Sequence, residues 1–217
     1  HELIVGDLAL GDVYARTEFE PYLDREQAQL LLAADGTPHV LLASSTAVYH
    51  QCRGEWVDED SPTEPHGFSG RILLQAEALL RERAAHRATV LRFGGIYGPG
   101  RERLLREVAA GIGCAREPVR YTNRIHREDC AGILQFLVGR LLRGETLAPL
   151  YLGVDSEPAP MWEVRHWIAA ELGVVLDDAA GGAQGGRAPG SKRCSNRRLL
   201  EAGYALRYPD YPEQEKK

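Results

Sequence analysis

An α/β fold, a parallel sheet with helices on both faces, is the architecture this sequence predicts. Three observations lead to it. Residues 40–43 and 88–93 are short apolar runs bounded by turn-forming or polar residues, without the alternation of a half-exposed strand. Such runs suit strands buried on both faces, the condition of a parallel sheet. The segments around them carry apolar residues at helical spacing, and strands alternating with helices make a parallel α/β layer structure.

The chain has 217 residues, enough for one such domain. At 44% hydrophobic and 26% charged residues it is globular in composition rather than disordered. A formal net charge of -5 speaks against general nucleic-acid or anionic-membrane binding, which need a basic face. No apolar run approaches the roughly 18 residues of a membrane span. Cys52, Cys114, Cys130 and Cys194 are far apart and form no Cys-x-x-Cys. Reduced thiols in a cytoplasm are expected, not a zinc knuckle or a disulfide framework.

The elements follow in order. Residues 2–5 form a short strand that ends at Gly6-Asp7-Leu8. Residues 20–34 carry apolar positions at Leu23, Ala28, Leu31 and Leu32 and read as a helix, which Gly36 and Pro38 stop. The strand 39–43 runs into Ser44-Ser45-Thr46. Residues 51–67 are polar, with Asp58, Glu59 and Asp60 clustered, and are expected to be a surface loop. A helix is expected over 69–85, then a strand over 88–93 that ends at Gly94-Gly95. Gly98-Pro99-Gly100 is a turn by its own chemistry. Helices are expected over 103–110, 128–143 and 160–172, and a strand over 150–154. Residues 179–190 are rich in glycine and alanine and read as a loop. A last short helix over 195–202 is closed by Gly203, and the charged tail from Glu213 is expected to fray.

Ligands of parallel sheets gather at the C-terminal edges of the strands. Two such edges carry suggestive chemistry, Ser44-Ser45-Thr46 and Gly94-Gly95. The hydroxyls could polarise a carbonyl or merely cap a turn. The glycines could admit a flat ring against the backbone or merely form a turn. His126 and Asp129, three apart at a helix start, read as a hydrogen-bonded pair rather than a metal site. No metal constellation is visible.

Taken together, four segments resemble one family. They are Ser44-Ser45-Thr46-Ala47-Val48-Tyr49, then Asp58-Glu59 with Pro62 and Pro65, then Leu91-Arg92-Phe93-Gly94-Gly95-Ile96-Tyr97-Gly98-Pro99-Gly100, then Asn123-Arg124-Ile125-His126-Arg127-Glu128-Asp129. Their order and spacing resemble the extended short-chain dehydrogenases/reductases, the NAD-dependent epimerase/dehydratase group, from about Val40 to the end. The resemblance implies a Rossmann-like sheet, NAD or NADP as cofactor, and a nucleotide-sugar-like substrate. It implies Ser45, Thr46 and Tyr49 as catalytic residues, Ser45 standing where the family's Ser or Thr bonds the reacting oxygen. It places Asp7, Leu8, Ala43, Ser44, Phe93, Gly94, Gly95 and Ile96 at the cofactor. Residues 1–217 are expected to form one NAD(P)-binding domain, with 100–127 and 155–217 contributing a smaller substrate-side lobe. A monomer or homodimer is expected, without a nucleic-acid or membrane partner.

Two departures from the family stand out. Its proton relay is Tyr-x-x-x-Lys, with a glutamate eight residues after the tyrosine. Counting back from Glu77 puts Ser69 and Leu73 at those positions. Lysine occurs only at Lys192, Lys216 and Lys217, so no register restores the pair. A substitute would be Tyr49, His126 or a water. The family's opening Gly-x-x-Gly-x-x-Gly turn is also absent before Val40, and the chain starts at His1. Gly6-Asp7-Leu8 resembles the family's later Asp-Leu, so the N-terminal part of the fold is expected to be missing. Phe68-Ser69-Gly70-Arg71, Tyr121-Thr122-Asn123, Ser191-Lys192-Arg193-Cys194-Ser195-Asn196, Gly203-Tyr204 and Tyr208-Pro209-Asp210-Tyr211 resemble a bacterial branch lacking the active-site tyrosine, labelled nucleoside-diphosphate-sugar epimerases. Two readings stand: an NAD(P)-dependent epimerase/dehydratase-like enzyme, or a non-catalytic NAD(P)-binding sensor or regulatory protein.

Overall fold

A computed structural model describes residues 5–6, 39–65, 67–84, 87–179 and 190–210. The expected helix at 20–34, the loop at 180–189 and the tail beyond Asp210 lie outside them, as do Asp7 and Leu8.

Four parallel strands make the central sheet: β1 (Val5–Gly6), β2 (Val40–Ser45), β4 (Ala88–Phe93) and β8 (Leu150–Gly153), in the spatial order β1-β2-β4-β8. Val40 pairs with Ala88 and Ser45 with Phe93, and Phe93 pairs on its other side with Gly153. The two-residue period of a strand sorts the side chains onto two faces. Leu41, Leu91, Phe93 and Tyr151 pack with Ile133 and Leu137 of α3 (Arg127–Leu142). Leu42, Val90 and Leu150 pack with Leu80 and Ala84 of α1 (Phe68–Ala84). Every residue of β4 and β8 is buried, which is why 88–93 reads as an apolar run.

Smaller ladders complete the fold. β5 (Gly95–Tyr97) pairs in parallel with β7 (Arg124–His126), and β6 (Tyr121–Thr122) pairs antiparallel with β9 (Ala159–Pro160). α2 (Arg103–Ala109) and α4 (Met161–Leu172) share a cluster of Val108, Val164, Ile168 and Ala169. The short helix α5 (Arg197–Glu201) buries Leu199 against the sheet. No helix among the described residues is long and apolar enough to cross a membrane.

One sequence expectation is corrected. Residues 51–67 are not simply a surface loop. β3 (Glu55–Val57) lies within them and pairs in parallel with β10 (Lys192–Cys194). Val57 is buried with Val48, Tyr49, Leu73 and Cys194. Glu59, from the acidic cluster, turns inward and accepts the Leu152 N–H at 3.0 Å. A three-residue strand whose partner lies so far along the chain leaves no local period to read.

Candidate functional site at the strand edge

β2 and β4 end side by side, and both run on into the segments the sequence singled out. Ser45 is the last residue of β2 and caps a 3₁₀ turn, Thr46–Val48. Its Oγ accepts the Ala47 N–H at 3.1 Å. The capping reading of this hydroxyl therefore holds, and it leaves the hydroxyl proton without an acceptor among the described residues. Thr46 is buried within the turn.

The two glycines after β4 differ in role. The Gly94 N–H donates to Gly153 O at 3.0 Å, and the Gly95 N–H to Asn123 O at 2.8 Å. A Cβ at Gly94 would lie 2.7 Å from the Asn123 carbonyl oxygen and 3.0 Å from Val154 Cγ1. Packing against the backbone of 123 therefore requires glycine at 94. Gly95 is exposed, and a Cβ there would meet only Asn123 O, at 3.5 Å. Only Gly95 presents its backbone outward. Ile96 is half-buried opposite Ile125 in β5–β7, Ala43 is half-buried in β2, and Phe93 is buried in the core.

Under this edge lies a polar network that sequence reasoning missed. Glu77 of α1 is fully buried and binds Arg92 of β4 through two oxygens, at 3.0 Å to Nε and 2.6 Å to Nη2. Ser44 Oγ donates to Glu77 Oε1 at 2.7 Å, and Arg81 Nη2 donates to Oε2 at 2.8 Å. Arg92 Nη1 continues to the Tyr49 hydroxyl at 2.8 Å, which donates to Asp58 O at 2.7 Å. The Ser44 hydroxyl thus points inward. Tyr49 is 3% exposed, and burial pushes its pKa up to about 12 despite the Arg92 charge. That hydroxyl is a structural tie and holds its proton near neutrality. Leu73, at the counted lysine position, packs in the core beside Val48 and Tyr49.

On the far side, His126 is buried between aromatic rings, with Tyr208 at 3.8 Å and Tyr97 at 5.3 Å between centroids. Its Nδ1 accepts the Glu128 N–H at 3.3 Å and caps α3. Burial lowers its pKa, against the pull of Glu128 and Asp129. The expected His126–Asp129 hydrogen bond is replaced. Asp129 accepts from the Tyr204 hydroxyl at 2.8 Å and from the N–H groups of Arg207 and Tyr208 at 2.9 and 3.0 Å. The aspartate anchors the chain after α5 instead. Among the described residues no group of three or more His, Cys, Asp or Glu could hold a metal ion.

Asp155, just beyond β8, was also missed. It is buried and stands 3.7 Å from Arg124. Burial raises its pKa from 3.8 to about 7, against the lowering effect of Arg124. A folded-state pKa above the unfolded one contributes stability that is full below the unfolded pKa and lost as pH rises through the folded one. The stability of wild type relative to Asp155→Asn should therefore fall between pH 3.8 and about 7. The fall should be at most about 4 kcal/mol, and urea unfolding of both proteins across that range measures it. A difference that does not vary with pH would show that Asp155 has the same pKa folded and unfolded.

No family model matches the sequence. Solved structures do match. The chain is 37% identical to a protein from Methylobacillus flagellatus assigned as a NAD-dependent epimerase/dehydratase, with a TM-score of 0.70 over 88% of this chain and 71% of that one. The human epimerase family protein SDR39U1, solved with NADPH, shares the fold at 24% identity and a TM-score of 0.69, over 85% of this chain and 66% of that one. Protein YeeZ of Escherichia coli (strain K12) is 27% identical over 180 residues, which are 80% of this chain; the chain spans 60% of that relative's length. The parallel sheet and the similarity to the M. flagellatus protein together settle the family: the chain belongs to the NAD-dependent epimerase/dehydratase group of the extended short-chain dehydrogenases/reductases.

Proposed function

We propose that the protein binds NAD or NADP at the C-terminal edge of the central sheet and acts on a nucleotide-sugar-like substrate. The observation that carries this reading is the Ser45 hydroxyl. It is held by the Ala47 N–H, and among the described residues its proton has no acceptor and can serve a ligand at the strand edge. Exposed Gly95, after the neighbouring strand, offers backbone that a flat ring can approach closely. These residues fit a nicotinamide. The bound dinucleotide supplies a hydride acceptor and donor. Ser45, with Thr46 beside it, holds the reacting oxygen. Residues 100–127 and 155–217 form the substrate side, supported by the packing of α2 on α4 and by the β6–β9 ladder. MoeE5, which shares the fold at 22% identity, has been solved with UDP-glucuronic acid and NAD. The reading places the protein in the cytoplasm, where its cysteines stay reduced.

One observation favours a second reading, a cofactor-binding sensor or regulatory protein without hydride chemistry. Tyr49 is tied down and Leu73 lies in the core, so neither forms an acid–base pair. A substitute relay would need His126 or a water. The expected result is slow turnover of UDP- and dTDP-sugars, well below the order of ten per second of an ordinary enzyme. Ser45→Ala should lower the residual kcat by about a hundred- to a thousandfold while dinucleotide affinity changes by less than about twofold. A large loss of NAD(P) affinity would make Ser45 a cofactor contact. Wild type that binds dinucleotide but shows no turnover would favour the second reading.

A further inference from the structure

β10 alternates between buried Lys192 and Cys194 and half-buried Arg193, which lies on the opposite face of the strand. Arg193 stands in register with Trp56 of β3. Its guanidinium carbon lies 5.0 Å from the centroid of the Trp56 ring and 5.0 Å from that of Tyr121. Both are cation–π distances. Its Nε donates to Gly54 O at 2.7 Å. Gly54 takes a φ of +79°, a conformation that favours glycine. Among the described residues Arg193 makes no salt bridge, and neither of its terminal nitrogens has a hydrogen-bond acceptor. Trp56 remains 56% exposed, high for a tryptophan.

We propose that Arg193 is the centre of an oxyanion-binding site that takes a carboxylate or phosphate group of a ligand. Two aromatic rings restrict the guanidinium, and Nε is fixed to the backbone. The Nη1–Nη2 edge is left as a preorganised two-donor fork. Such a fork matches two oxygens of a carboxylate or phosphate, a match an ammonium cannot make. The surrounding backbone is fixed as well. Tyr121 N–H donates to Ser191 Oγ at 3.1 Å. Asn123 bridges both neighbours of Arg193, donating from Nδ2 to Lys192 O at 3.0 Å and accepting from Cys194 N–H at 2.6 Å. The carbonyl of Asn123 is the one that receives the Gly95 N–H. The oxyanion site is therefore built on the backbone that positions the strand edge. It stands on these contacts and not on dinucleotide binding, so it can fail or hold separately from the proposed function.

The test is a tryptophan-fluorescence titration without dinucleotide, using sodium glucuronate, inorganic pyrophosphate and uncharged glucose. Saturable binding of glucuronate, pyrophosphate or both is expected, with none for glucose. Saturation by glucuronate alone identifies a carboxylate site, and by pyrophosphate alone a phosphate site. Arg193→Gln and Arg193→Lys should each weaken anion binding by about tenfold or more, since lysine keeps the charge but loses the fork. Thermal unfolding of the variants, within about 2 °C of wild type, separates lost binding from lost fold. The proposal is overturned if neither anion binds wild type, if glucose binds as well, or if the lysine variant binds like wild type. Unfolding of both variants would make Arg193 a structural staple and would also overturn it.

Discussion

Glu77→Gln should lower the unfolding free energy by about 3–5 kcal/mol, because it leaves Arg92 buried with its charge uncompensated. Glu77 is fully buried and receives Arg92 through two bonds, Arg81 through a third and Ser44 through a fourth. A glutamine can accept at one atom only and turns an amide nitrogen toward the guanidinium. Arg92 joins the middle strand pair to Tyr49, so the loss reaches the segment after β2. Urea unfolding monitored by far-UV circular dichroism measures the effect. Glu77→Met combined with Arg92→Met should recover most of it, since a buried ion pair replaced by apolar groups is often neutral in stability. A single substitution that costs under about 1 kcal/mol would mean that water reaches the pair.

The adjacent glycines should respond in opposite ways. Gly94→Ala puts a methyl 2.7 Å from a backbone oxygen that is already held by Gly95. Backbone cannot yield as a flexible side chain does, and overpacking of this kind costs about 1–3 kcal/mol. Gly95→Val adds its side chain toward solvent on a strand residue, where a β-branched side chain is well tolerated. Its thermal midpoint should stay within about 2 °C of wild type, against a fall of several degrees for Gly94→Ala. Equal falls would show that the two positions are packed alike.

The sheet was legible in the sequence where burial was complete. β4 emerged with its boundaries because all six residues are buried and Gly94 ends the run. The helix starts were displaced by a residue at Phe68, Arg127 and Met161; at Arg127 the His126 cap rather than apolar spacing decides. What stayed hidden was chemistry shared between distant segments. Arg92 read as part of an apolar strand and Glu77 as the glutamate that follows the family's relay positions, and neither spacing reveals that they meet. Asp129 was legible as a helix-start carboxylate, but its partners come from the chain after α5. Strands β3 and β10 failed the reading because three residues carry too little period and a buried Lys192 breaks it. At the candidate site, the capping role of Ser45 was visible as a residue type, whereas Gly94-Gly95 forms no turn and leads straight into β5. The inward commitment of Ser44 and Tyr49 was not visible, since it depends on the Glu77 carboxylate that Ser44 meets and on the Arg92 guanidinium that meets Tyr49.

Calorimetric titration of wild type and Gly95→Val with NADH and NADPH tests the placement of the cofactor most directly. Wild type should bind at least one dinucleotide saturably. Gly95→Val, whose isopropyl group would occupy the face offered to the ring, should lose about tenfold or more in affinity with an unchanged thermal midpoint. Wild type that binds neither dinucleotide, or a valine variant that binds as tightly as wild type, would contradict that placement.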